Sequence, residues 1–142
     1  MWFNKNIQII KSRAKINLSL KVVGTRENGY HDLEMIMVPL EMHDVIEIIR
    51  RPEALDTYIT SDDVGLAHLH NNLCTVAVEA MRKEFGFKDH FDISIHKEIP
   101  FAAGLGGGSS NAAAVIESII KLLKIKTDEE TINRIALSIG AD

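Results

Sequence analysis

Between Ala14 and Val23 apolar and polar residues alternate without a break. Ile16, Leu18, Leu20 and Val22 share one face, and Lys15, Asn17, Ser19 and Lys21 share the other. A two-residue period over that length predicts a half-buried strand. Thr25 to Gly29 follows as a polar turn ending in Asn-Gly. Leu33 to Glu41 and Asp44 to Arg50 are expected as two further strands separated by a bend at Met42-His43, with Pro39 marking an edge or a bulge in the first. A short strand is expected over Asp56 to Thr60. Ser61 to Leu69 has no clear period and reads as loop, with Asp62-Asp63 a solvated pair.

The period then lengthens. Asn72 is placed to cap a helix running to about Phe85, with Leu73, Val76, Ala77, Ala80 and Met81 on its apolar stripe. Phe91 to Glu98 returns to alternation. A second helical run carries Ala112, Val115, Ile116, Ile119, Ile120 and Leu123. Thr127 and Glu130 form a capping-box pattern ahead of a third, with Ile132, Ile135, Ala136 and Ile139 inward and Gly140 at its close. Strands cluster early and helices late. That order indicates an α+β fold, a mixed or antiparallel sheet with helices packed on one face.

Composition narrows the class. At 142 residues and 46% hydrophobic content, one domain with an ample core is expected. The net charge of −4, with no basic tract, argues against a nucleic-acid partner. The lone cysteine, Cys74, excludes an intramolecular disulfide, and its apolar neighbours suggest a buried thiol in a reducing compartment. No apolar run reaches the roughly 18 residues of a membrane span, and the first residues lack a signal-peptide core, so a cytoplasmic location is expected. The histidines lack the spacing of a metal site.

The chemistry concentrates in Pro100-Phe101-Ala102-Ala103-Gly104-Leu105-Gly106-Gly107-Gly108-Ser109-Ser110-Asn111, where four of the nine glycines fall within five positions. The stretch joins an alternating segment to a helical one. Residues without Cβ let a backbone approach a bulky anion, and the N–H groups opening the next helix, expected near Ser109 to Asn111, point at it with the helix dipole behind them. The ligand suited to such a cradle is a polyphosphate. A Walker A loop is excluded because no Lys follows Gly108. The dinucleotide and protein-kinase glycine patterns are excluded because their third Gly would fall on Ser109 or Asn111. A plain tight turn does not require three adjacent glycines followed by Ser-Ser-Asn.

Pro100 to Ser110 resembles the phosphate-binding motif of the GHMP kinases, small-molecule kinases whose pattern is Pro, three variable residues, then Gly-Leu-Gly-(Gly/Ser)-Ser-(Ser/Ala); one extra Gly is present here. Ala14-Lys15-Ile16-Asn17-Leu18-Ser19-Leu20, Gly29-Tyr30-His31 and Gly140-Ala141-Asp142 extend the resemblance to a member acting on a small alcohol linked to a cytidine diphosphate. The resemblance implies ATP as phosphoryl donor, with Mg2+, and no dedicated metal carboxylate stands out. It implies Lys15 and Asp142 as the catalytic pair, the lysine favouring the carboxylate and orienting the hydroxyl. It implies Asn17 for the substrate hydroxyls and Tyr30 and His31 for the cytosine pocket. Lys97 is either a nucleotide contact or solvated, and Asn72 an N-cap in a region that the resemblance places near the adenine. Arg13 stands where the family usually has Pro, so a local change at the strand start and in phosphate contact is expected.

The resemblance further implies that residues 1–142 form an amino-terminal, ATP-binding domain, with a carboxy-terminal domain absent. Such a chain would leave an apolar face open to dimerisation or aggregation. The alternatives are another family member, such as homoserine kinase, and a non-catalytic nucleotide-binding domain.

Overall fold

The computed structural model describes residues 5–25, 27, 31–62, 72–100 and 104–140, the side chains of 19–23 and 31–35 excepted. Four strands form one sheet in the order β1 (Ile7–Thr25), β2 (His31–Arg51), β4 (His90–His96), β3 (Tyr58–Ser61). β1 pairs with β2 and β2 with β4 antiparallel, whereas β3 pairs with β4 in parallel. The parallel pair needs a long crossover, and that crossover contains α1 (Leu73–Phe85). The remaining helices among the described residues are α2 (Gly107–Leu123) and α3 (Glu129–Ile139).

Alternation decides which face of the sheet receives the helices. Ile46 and Ile48 of β2 and Phe91, Ile93 and Ile95 of β4 turn inward against Cys74, Ala77, Val78 and Met81 of α1 and Ala112, Val115 and Ile119 of α2. α2 lies across β1 and β2, α1 lies beside α2, and α3 packs on α1. The expected α+β architecture holds. The stripe of α1 is centred on Cys74, Ala77, Val78 and Met81 rather than on Val76, which is exposed. On α3 only Ile135 is buried; Ala136 is exposed and faces a shallow apolar groove against Ala112, Ala113 and Ile116. Asp128, not Thr127, caps α3, its carboxylate accepting from the Thr131 N–H at 2.7 Å.

The first two strands differ from their expected bounds. β1 begins at Ile7, and β2 runs unbroken through Met42-His43. The expected bend is instead a bulge: the pairing steps from Arg13↔His43 to Lys15↔Pro39, so β2 carries two extra residues there. Pro39 is tolerated because β4 pairs with Val45 to Arg51, leaving no paired neighbour among the described residues on the other side of β2 at Pro39. Arg13 braces the bulge. Its Nε donates to the Leu40 carbonyl at 2.7 Å and its Nη2 meets Glu41 Oε1 at 3.1 Å. The Arg13 side chain is therefore spent on β2, and the strand start lies six residues earlier, at Ile7. A second register shift falls between Asn17 and Ser19. It breaks the strict alternation and leaves Leu18 63% exposed rather than half-buried with Ile16.

Candidate active site

α2 opens on Gly106, which sits in the left-handed region at φ 70° and ψ 21°. The Ser110 N–H donates to the Gly106 carbonyl at 2.9 Å, closing the first helical turn. The N–H groups of Gly107, Gly108 and Ser109 therefore have no acceptor within the helix. The donor-rich mouth lies two residues earlier than the expected Ser109 to Asn111, because Ser110 and Asn111 are already inside the first turn. Two close approaches explain the glycines. A Cβ on Gly106 would lie 2.7 Å from Lys15 Cε, and one on Gly107 would lie 3.0 Å from Ile99 Cγ2 and 3.4 Å from Lys97 Nζ.

The same approach docks β1 on the loop. The Lys15 N–H donates to the Leu105 carbonyl at 2.9 Å, and the Lys15 stem runs across Gly106. A cationic side chain, half-buried, thus lies at the mouth of a helix N-terminus. Both features attract an anion.

Beneath the loop lies a buried polar cluster whose full extent sequence reasoning missed. Asp44 is wholly buried. Its Oδ1 accepts from the backbone N–H groups of Glu98 at 2.7 Å and Ile99 at 2.9 Å. Its Oδ2 accepts from Lys97 Nζ at 2.6 Å and Asn111 Nδ2 at 2.9 Å. Asn111 Nδ2 also donates to Ser12 Oγ at 2.7 Å, and Ser12 Oγ donates to Ser110 Oγ at 2.9 Å. Burial by itself would raise the Asp44 pKa, but the Ile99 N–H, the Lys97 ammonium, the Asn111 amide and the Glu98 N–H together hold it below the ordinary carboxylate value. One signal was present in the sequence: Asp44 shares the inward face of its strand with Ile46 and Ile48, a place where a carboxylate must have partners.

Lys97 is consequently not solvated. Its side chain is 8% exposed and ion-paired, with Nζ directly below the opening of α2. Asp62 is not purely solvated either, since its Oδ1 accepts from the Lys97 N–H at 2.8 Å. Asn72 does cap α1, its Oδ1 accepting from the Cys74 N–H at 2.8 Å. Its Nδ2 is buried with no hydrogen-bond partner among the described residues. Cys74 is buried, and that burial pushes its thiol up to about 12. Asn17 is exposed on β1, paired with Met37. Pro100 and Gly104 are exposed. Tyr30, Phe101, Ala102, Ala103 and Asp142 lie outside the described residues, and of His31 only the backbone, paired with Thr25, is described.

A glycine-capped helix mouth that follows β4, crossed by a lysine from the first strand, is an arrangement suited to an anion within an α+β domain. Residues 72–142 match the family described as "GHMP kinases N terminal domain", half of the chain. A 4-diphosphocytidyl-2-C-methyl-D-erythritol kinase of Clostridioides difficile (strain 630) is 40% identical over 134 residues, which cover 94% of this chain and 45% of that protein. A solved 4-(cytidine 5'-diphospho)-2C-methyl-D-erythritol kinase superposes with a TM-score of 0.72 at 30% identity, covering 95% of this chain and 47% of that one. The mevalonate kinase of Methanococcus jannaschii superposes with a TM-score of 0.68 at 17% identity, covering 93% of this chain and 45% of that one, and shares the fold. The chain belongs to the GHMP kinase family. It spans about half the length of the curated relatives it matches. Among the described residues no helix is long and apolar enough to cross a membrane.

Proposed function

We propose that the protein carrying this chain transfers the γ-phosphoryl group of ATP to the 2-hydroxyl of 4-diphosphocytidyl-2-C-methyl-D-erythritol, a step in non-mevalonate isoprenoid precursor synthesis. Residues 1–142 supply its amino-terminal, nucleotide-binding domain. The observation that carries the reading is the docking of Lys15 across Gly106 at the open end of α2. The 40% identity to a kinase of that name supplies the substrate.

The chain's groups fit a triphosphate. Gly104 to Ser110 would hold it, with the N–H groups of Gly107, Gly108 and Ser109 as donors. ATP, when bound, supplies the transferable phosphoryl group. Asn72, at the start of α1, would lie near the adenine, and Lys97 supports the mouth from below. Lys15 faces the same mouth and would orient the acceptor hydroxyl, with Asp142 taking its proton. The new bond joins the substrate oxygen to the γ-phosphorus. The bond from γ-phosphorus to the bridging oxygen breaks, and ADP leaves. Asn17 would meet the substrate hydroxyls, and Tyr30 and His31 the cytosine. Mg2+ is expected to arrive with the nucleotide. Among the described residues no group of three or more His, Cys, Asp or Glu side chains is placed to hold a metal ion. The cytoplasm suits such chemistry.

The test is phosphoryl transfer by the whole protein, with 4-diphosphocytidyl-2-C-methyl-D-erythritol, homoserine and mevalonate offered in parallel. ATP-dependent turnover of the cytidine compound alone is expected. Turnover of homoserine or mevalonate instead would replace the substrate assignment. Absence of both turnover and ATP binding would overturn the kinase reading.

A further inference from the structure

We propose that Asp44 is a positioning residue for the phosphate loop, acting through Lys97 and Asn111 rather than on the substrates. The proposal rests on the nucleotide-binding reading given above. Glu98 and Ile99 follow β4 and Asn111 lies in α2, and the Asp44 carboxylate binds on both sides. Oδ1 takes the N–H groups of Glu98 and Ile99 on the strand side, at 2.7 and 2.9 Å. Oδ2 takes the Asn111 amide on the helix side at 2.9 Å, and Lys97 Nζ at 2.6 Å. These four donors occupy the acceptor capacity of the carboxylate. Through Asn111 the network continues to Ser12 at 2.7 Å, and from Ser12 to Ser110 at 2.9 Å. Ser12 lies three residues before Lys15 on β1, so one buried carboxylate links the strand exit, the helix mouth and the strand that carries Lys15.

The charge matters as well as the geometry. Lys97 Nζ lies 3.4 Å from the position of a Gly107 Cβ, under the positive end of the helix. A bare ammonium in that place, 8% exposed, would be repelled by the helix end and would lack solvation. Asp44 neutralises it there. The N–H groups of Gly107 to Ser109 are thereby kept at a set height relative to Lys15 before a nucleotide arrives.

The direct experiment is Asp44→Asn in the whole protein, with separate KM values for ATP and for the hydroxyl substrate. The variant keeps the shape but offers an N–H2 where an oxygen stood. In either amide orientation, donors face donors, on the helix side or on the strand side. The KM for ATP is expected to rise ~10–100-fold, the scale of loss when a binding group is misplaced by a fraction of an ångström to an ångström. The KM for the hydroxyl substrate should stay near the wild-type value. A purely structural role would lower the folded fraction, and so the apparent kcat, with both KM values unchanged. That result would overturn the proposal. Ser12→Ala is the second variant, since it removes the outer link with little change in volume. A smaller rise in the KM for ATP is expected, and an unchanged value would overturn the proposal even if Asp44→Asn does not fold. Wild-type protein that fails to bind ATP would instead refute the nucleotide-binding reading itself.

Discussion

Gly106→Ala tests the contact on which the site is built, and Gly86→Ala, at the carboxyl end of α1, is its internal control. Both glycines lie in the left-handed region, at φ 70° and φ 72°. An alanine in that region costs about 1–2 kcal/mol in the folded state. The reduced freedom of the unfolded chain returns about 0.4–1 kcal/mol of it. Each variant should therefore lose about 1 kcal/mol, a fall in Tm of roughly 2–5 °C for a domain of this size. The two differ in what the new methyl meets. At Gly86 nothing lies within 4 Å. At Gly106 the methyl would sit 2.7 Å from Lys15 Cε and 3.0 Å from Lys15 Cγ, closer than carbon atoms approach, so the lysine must move. Moving a reacting or orienting group by about 1 Å lowers turnover by ~100-fold. The assay pairs thermal unfolding with steady-state kinetics in the whole protein. Similar Tm losses are expected, with a ~100-fold fall in kcat for Gly106→Ala and most turnover retained by Gly86→Ala. Equal kcat in the two variants would show that the Lys15 contact has no part in catalysis, and the active-site reading would lose its main support.

Lys15→Met and Asp142→Asn should each remove most of kcat, and the double variant should lose little more, as coupled groups do; effects that multiply would separate the pair. Tyr30→Ala should raise the KM for the cytidine substrate, by the ~1–3 kcal/mol of a stacked base, while that for ATP stays nearly unchanged; equal losses would indicate a structural role. The Asp44 pKa is lowered in the folded state, so its stabilisation is present above the ordinary carboxylate value of 3.8 and is lost as pH falls through the folded value. Wild-type stability should accordingly drop below about pH 4 in an acid titration, and Asp44→Asn should show a shallower drop. Cys74, with its thiol pushed up to about 12, should react with a disulfide-exchange reagent at pH 8 only as fast as the protein opens. Rapid labelling of native protein would contradict its burial.

Local patterns in the sequence determined much of this protein. The two-residue period marks the strands and the longer period marks the three helices, because each depends only on which face of a short segment is apolar. The glycine cluster was legible for a similar reason, since close backbone approach and positive φ demand glycine at particular positions; Lys15 was marked only by the resemblance to the GHMP kinases. The long-range pairings were decided by the tertiary structure. Nothing local distinguishes a bend at Met42-His43 from a bulge in a continuous β2; pairing with β1 and the brace from Arg13 settle it. The exposure of Leu18 follows from a register shift, which shows only when two strands are aligned. Lys97 could be read as solvated until Asp44, 53 positions away, was seen to meet it at 2.6 Å. Asp44 on an inward face signalled that a partner must exist, without saying which. The physical reason is the same in each instance: periodicity is written in neighbours along the chain, whereas the partner of a buried charge is chosen by packing between segments remote in sequence.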